Sequence, residues 1–136
     1  YAHEDLEVCL VGDRSQTSLA EALMHDHSDQ RITNTVGKTS LIELVAIIHQ
    51  SIAAVGPDSG PGHISAAVAT PYVTLFGPTD PVRVAPYKMN HLAVTNNVPC
   101  SPCGKKACPG FDMVCMKSIS AMQVYQKIEP LIRASL

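Results

Sequence analysis

Apolar residues along the chain follow two alternating patterns: short continuous runs, and longer stretches spaced three to four apart. "VCLVG" (Val8 to Gly12) is a continuous run ending in glycine, as a parallel strand buried on both faces would read, and it predicts a buried Cys9. Ser18 and Glu21 have the spacing of a helix-opening capping box, and Leu19, Ala22 and Leu23 give an apolar face to about His25. "RITNT" predicts a second strand. In "GKTSLIELVAIIHQ", Ser40 and Glu43 form a second box, and Leu41, Leu44, Val45 and Ile48 lie at helical spacing. "SIAAVG" predicts a third strand, followed by a helix from about Gly60 to Ala69 that buries Ile64, Ala67 and Val68. "YVTLFG" and "HLAVT" predict the fourth and fifth strands. Ser120 and Gln123 open a last helix, Ile119 and Val124 stand as its hydrophobic staple, and Pro130 should kink it or end its regular part.

Strand and helix in alternation imply an α/β fold, a Rossmann-like parallel sheet with helices on both faces, as one domain over residues 1–136. Composition agrees with an ordinary globular chain: 46% of residues are apolar and 16% charged. A net charge of −2 without a polybasic run gives no electrostatic case for nucleic acid or an anionic membrane as partner. No apolar stretch is long enough to span a bilayer, "YAHEDLEV" lacks a signal-peptide pattern, and a start at Tyr1 fits an excised piece. The expectation is a soluble, intracellular protein.

In such sheets ligands bind beyond the carboxyl ends of the strands. "GPDSGPGHISAAVATP" (Gly56 to Pro71) lies at one of them. With Ser59 as helix cap, Gly60 and Pro61 fall in the first turn, where proline forfeits no helical hydrogen bond. Bare backbone at Gly60 and Gly62 lets a bulky anion approach free N–H groups, and the helix dipole favours it by roughly 0.3–2 kcal/mol per charge. A diphosphate suits that position. His63 could donate to a phosphate oxygen or a leaving group, whereas Asp58, repelled by phosphate, suits a sugar hydroxyl or the turn's own amides. The alternative is a plain strand-to-helix turn, in which Asp58 and Ser59 only cap the helix.

Four of the five cysteines cluster in "CSPCGKKACPGFDMVC", at Cys100, Cys103, Cys108 and Cys115. Four thiols in one loop can bind a structural zinc, form two disulfides, hold an iron–sulfur cluster or stay reduced. Lys105 and Lys106 should lower nearby thiol pKa values. His25 and His27, two apart on a helix, point to different faces and read as solvated.

The stretch "GPDSGPGHISAAVATPYVTLFGPTDPVRVAPY" resembles the C-terminal segment of the ADP-heptose:lipopolysaccharide heptosyltransferases, glycosyltransferase family nine. The shared pattern is D-[ST]-G-P-x-H, an Ala-rich helix, T-P, an apolar strand and F-G-P-T-x-P. "VGKTSLIELVAII" is similar to that family's G-x-x-S-L-x-E helix start, and the cysteine run to its heptosyltransferase II-like branch. The resemblance implies the donor-binding, C-terminal half of a two-domain GT-B enzyme. On that pattern the N-terminal acceptor domain with its catalytic Asp base is missing, as are this domain's first strand and a basic K-x-W-P-like segment.

By resemblance, Asp58, Ser59, Gly60 and His63 bind the donor, with the Ser59 and Gly60 amides facing the diphosphate and His63 stabilising the leaving group. Thr39 and Ser40 match the helix start beside the nucleoside, and Gly12 and Asp13 the bend past the nucleotide. Thr79 and Asp80 are either donor contacts or a proline-flanked turn. Gly62 replaces a residue that is often larger in the family, which would leave room in the turn. The implied chemistry is inverting transfer from an ADP-heptose-like donor to a lipid A-core acceptor, at the inner face of the bacterial cytoplasmic membrane and with peripheral attachment of the full-length enzyme. Near the motif no Asp-X-Asp pair calls for an obligatory metal. Two other readings compete: a non-catalytic nucleotide-binding regulatory module, and a small interaction domain stabilised by metal at the cysteine loop.

Overall fold

The computed structural model describes residues 5–27 and 29–135. The chain divides into two compact units, residues 1–44 and 45–136. In the first, β1 (Val8–Leu10) pairs in parallel with β2 (Ile32–Asn34), Val8 opposite Ile32. A 3-10 turn over Arg14–Gln16 leads into α1 (Thr17–Asp26). The helix entry is therefore set by Asp13 rather than Ser18: the Asp13 carboxylate accepts from the Ser15 N–H at 2.7 Å, and the Asp13 N–H donates to Gln16 at 3.1 Å. Ser18 already lies inside the helix. Cys9 is exposed, not buried, and Val8 is 49% exposed. A continuous apolar run buries both faces only when both are covered, and within this unit β1 pairs with β2 alone.

Helix α2 (Leu41–Gln50) starts at the expected box: the Ser40 N–H donates to Glu43 at 2.7 Å, and the Glu43 N–H returns to the Ser40 hydroxyl at 3.3 Å. It crosses the division between the units. Its stripe reads correctly at Ile48, which is buried, whereas Leu41 is exposed.

The second unit holds three parallel strands in the order β3 (Ala54–Pro57), β4 (Tyr72–Phe76), β5 (Ala93–Thr95), with Ala54 opposite Tyr72 and Thr74 opposite Ala93. Side chains alternate across β4. Val73 and Leu75 join Leu92 and Val94 in a cluster against Ile119, Val124, Ile128 and Leu131, so α6 (Ala121–Arg133) covers that face. Tyr72 points to the other face, beneath α3 (Gly60–Ala67). Helices thus lie on both faces of this sheet, as expected. A short α4 (Pro81–Val84) follows β4, and a one-turn α5 (Val114–Lys117) ends the cysteine loop.

Helix α6 opens with the expected Ser120–Gln123 box and runs through Pro130 to Arg133 rather than ending there. Only one turn follows the proline, and packing of Leu131 and Ile132 holds it in place. Helix α3 stops at Ala67, short of the expected Ala69, because Ala69 turns left-handed (φ 61°) and the Thr70 N–H reaches back to the Ser65 carbonyl at 2.9 Å. Its buried residues are Gly62 and Ser65, while Ala67 is exposed. Small residues there let helix and sheet approach closely.

A Cβ on Gly62 would lie 3.0 Å from the Tyr72 ring and 3.1 Å from Pro86. The space beside Gly62 is filled by protein, so its small size serves packing and leaves no extra room for a donor. Gly62→Val is expected to destabilise the chain by about 1–3 kcal/mol, read as a lower urea midpoint.

Candidate donor site

The turn between β3 and α3 is held from outside itself. Tyr72 starts β4, and its ring lies along β3 with the hydroxyl over Gly56, where any Cβ would collide with it. That hydroxyl donates to the Pro57 carbonyl at 3.1 Å. The Ser59 hydroxyl donates to the same carbonyl at 3.2 Å. Ser59 thus has the backbone of a helix cap, but its side chain is turned away from the helix. Burial pushes the Tyr72 phenol up, partly offset by the Ser59 hydroxyl, with the Asp58 charge adding to the rise. Tyr72 escaped the sequence reading because a tyrosine opening a strand signals only burial; its role needs the β3–β4 register.

Next along the turn, Asp58 accepts a hydrogen bond from the Thr79 hydroxyl at 2.9 Å. Thr79 lies beyond the end of β4 and Asp58 beyond the end of β3, so neighbouring strand ends are tied side chain to side chain. Asp80 instead caps α4, accepting from the Val82 N–H at 2.9 Å, which is the local-turn role.

Because the Ser59 hydroxyl is committed elsewhere, the start of α3 keeps donors in hand. Gly62 N–H bonds to the Ser59 carbonyl at 3.1 Å, and Pro61 has no N–H to offer. The backbone N–H groups of Ser59 and Gly60 have no hydrogen-bond acceptor among the described residues. A Cβ placed on Gly60 would meet nothing within 4 Å. Exposed His63 sits in the same first turns. Two free amides, an open approach and the positive end of a helix dipole make an anion-accepting corner.

The remaining candidates lie in the first unit. Gly12 accepts from the Gly37 N–H at 2.9 Å, joining the end of β1 to the loop that precedes Thr39 and Ser40. Asp13 is occupied by its own turn: the Ser15 hydroxyl first, then the Ser15 N–H, holds its carboxyl below the usual range. Ser40 is likewise engaged with Glu43, whose carboxyl its N–H and then its hydroxyl pull down. The Thr39 hydroxyl has no protein partner among the described residues.

The four loop cysteines are free thiols: Cys100 and Cys115 are half-buried, Cys103 and Cys108 exposed. Among the described residues, no three His, Cys, Asp or Glu side chains come together in a metal-holding group. The Cys108 thiol is lowered, but not by Lys105 or Lys106. The Met113 N–H, 3.3 Å from its sulfur, is the main cause, the Phe111 and Gly110 amides add to it, and burial and Asp112 oppose it.

Residues 1–112 match the family model described as glycosyltransferase family 9 (heptosyltransferase). The chain belongs to that family. Among its family 9 relatives, lipopolysaccharide heptosyltransferase 3 of Escherichia coli K12 is 49% identical over 59 residues, covering 43% of this chain and 17% of the relative. Lipooligosaccharide heptosyltransferase 2 of Campylobacter jejuni (serotype O:2) is 28% identical over 106 residues, covering 77% and 33%. The solved structure of E. coli ADP-heptose lps heptosyltransferase II superposes with a TM-score of 0.72 at 21% identity, over 95% of this chain and 37% of that one, and shows the shared fold. The chain thus spans a third or less of the length of these two curated relatives.

Tyr72→Phe keeps the ring and removes one donor from the Pro57 carbonyl. It is expected to cost about 0.5–1.5 kcal/mol in denaturant titration.

Proposed function

We propose that this chain supplies the donor-binding part of a family 9 glycosyltransferase that moves a heptose from an ADP-linked donor to a lipopolysaccharide core acceptor. The observation that carries the reading is the pair of backbone amides at Ser59 and Gly60, without an acceptor among the described residues, at the start of α3, where Gly60 is exposed. They would receive the diphosphate. His63 would donate to it from the first turns of the helix, and Asp58, with one oxygen engaged by Thr79, would accept from a sugar hydroxyl through the other. The Thr39 hydroxyl, without a protein partner among the described residues, would serve the nucleoside, whereas Asp13 and Ser40 are committed to local turns and are better read as shaping the backbone there.

In the proposed reaction an acceptor hydroxyl attacks the anomeric carbon, its bond to the diphosphate oxygen breaks, and configuration inverts. The acceptor's proton goes to a carboxylate contributed by the acceptor-binding part of such an enzyme. Negative charge grows on the departing ADP, where preorganised amides and the His63 imidazole lower the barrier without moving. This stabilisation assigns no role to a divalent metal. No helix among the described residues is long and apolar enough to cross a membrane, and the reading puts the enzyme at the cytoplasmic membrane's inner face through its lipid acceptor.

Calorimetry should show the chain binding ADP in the high-micromolar range, and Gly60→Val should weaken it at least about tenfold, about 1.4 kcal/mol, by crowding the two amides. Equal affinity in a folded Gly60→Val protein would remove the diphosphate from this corner. In the complete enzyme, His63→Ala should lower kcat and kcat/KM together with KM for the donor unchanged; a change in KM alone would make His63 a binding residue only.

A further inference from the structure

We propose that the four-cysteine loop is a strap that positions Asp58 for the donor, acting through Gly77, Pro78 and the Thr79 hydroxyl. This rests on Asp58 being a donor ligand, as proposed above. Thr79 Oγ1 is the one protein hydrogen-bond donor to the Asp58 carboxylate among the described residues, at 2.9 Å. The orientation of the carboxylate therefore depends on where Thr79 stands.

Thr79 lies past the last ladder residue of β4, Phe76, so the sheet does not fix it directly. The two residues between are held by the cysteine loop instead. Ser101 Oγ donates to the Gly77 carbonyl at 2.5 Å, and the Gly104 N–H donates to the Pro78 carbonyl at 2.6 Å. Consecutive carbonyls are thus each bonded by a residue lying beside a loop cysteine. The far end of the loop closes on the same place: a Cβ on Gly77 would lie 2.5 Å from Met116 Cγ and 3.2 Å from the Cys115 sulfur. Glycine at 77 is what lets α5 press on the strand exit.

Both ends converge on the segment that presents Thr79, and Thr79 presents Asp58. Thr79 is a positioning residue, and Ser101 and Gly104 position it in turn. The strap acts on the sugar end of the donor, where Asp58 accepts, and not on the diphosphate, which the Ser59 and Gly60 amides would hold.

That division supplies the test. ADP and ADP-D-β-D-heptose are titrated by calorimetry into the chain and its folded Thr79→Val, Thr79→Ser and Ser101→Ala variants. Thr79→Val should weaken ADP-heptose about tenfold while leaving ADP within about twofold; Thr79→Ser should restore the parent value, and Ser101→Ala should shift ADP-heptose in the same sense by about threefold. ADP-heptose affinity unchanged in Ser101→Ala, or equal losses for the two ligands, would overturn the strap while leaving the donor site standing. Failure of the parent chain to bind ADP at all would overturn the donor site, and the strap with it. If Thr79→Val does not fold, Ser101→Ala carries the test with the same pair of ligands.

Discussion

The turn after β3 faces two demands that conflict. It must keep a fixed shape, yet two of its backbone N–H groups have no protein partner among the described residues, and buried or rigid backbone normally satisfies its own hydrogen bonds. The conflict is resolved by fixing the turn through its carbonyl and carboxylate sides. The Pro57 carbonyl takes the hydroxyls of Tyr72 and Ser59, and the Asp58 carboxylate takes that of Thr79. All three bonds restrain the acceptors and leave the Ser59 and Gly60 amides untouched. The glycines divide the work: Gly56 and Gly62 make room for the Tyr72 ring and hydroxyl, and Gly60 stays open.

This arrangement explains why the second unit places its stiffest elements around the turn. Strand β4 is buried along most of its length and fixes Tyr72 at one end and the exit toward Thr79 at the other. Helix α6 packs on the opposite face of the sheet and anchors the ladder rather than the ligand corner. A preorganised corner of this kind loses little freedom when an anion arrives, which is where affinity for a small charged ligand is gained.

Much of this was legible locally. The Ser40–Glu43 and Ser120–Gln123 boxes are three-residue signals that need no tertiary context, and both opened helices where expected. The five strands were found in order for the same reason, since short apolar and β-branched runs carry their own signal. Ser18–Glu21 had the right spacing too, but Asp13 and Gln16 stand closer to the strand end and took the role. What the sequence hid depends on register or on partners. Tyr72 reaching Pro57 requires knowing that it sits opposite Ala54, and the exposure of Cys9 depends on which strands flank β1. Gly62 looked like room for a ligand because sequence does not show which way a helical residue faces. The cysteine loop turns left-handed at Gly104 and Gly110, as glycine allows, and again at Asp112 and Met113 (φ 51° and 53°), where the methionine gives no signal of it.

On the proposed function, the free amides of Ser59 and Gly60 receive the donor's diphosphate. Nuclear magnetic resonance of the ¹⁵N-labelled chain tests it residue by residue as ADP is added. The largest amide shifts should fall on Ser59 and Gly60, and adenosine without phosphate should leave them in place. Saturable ADP binding that moves other amides while these two stay fixed would contradict it.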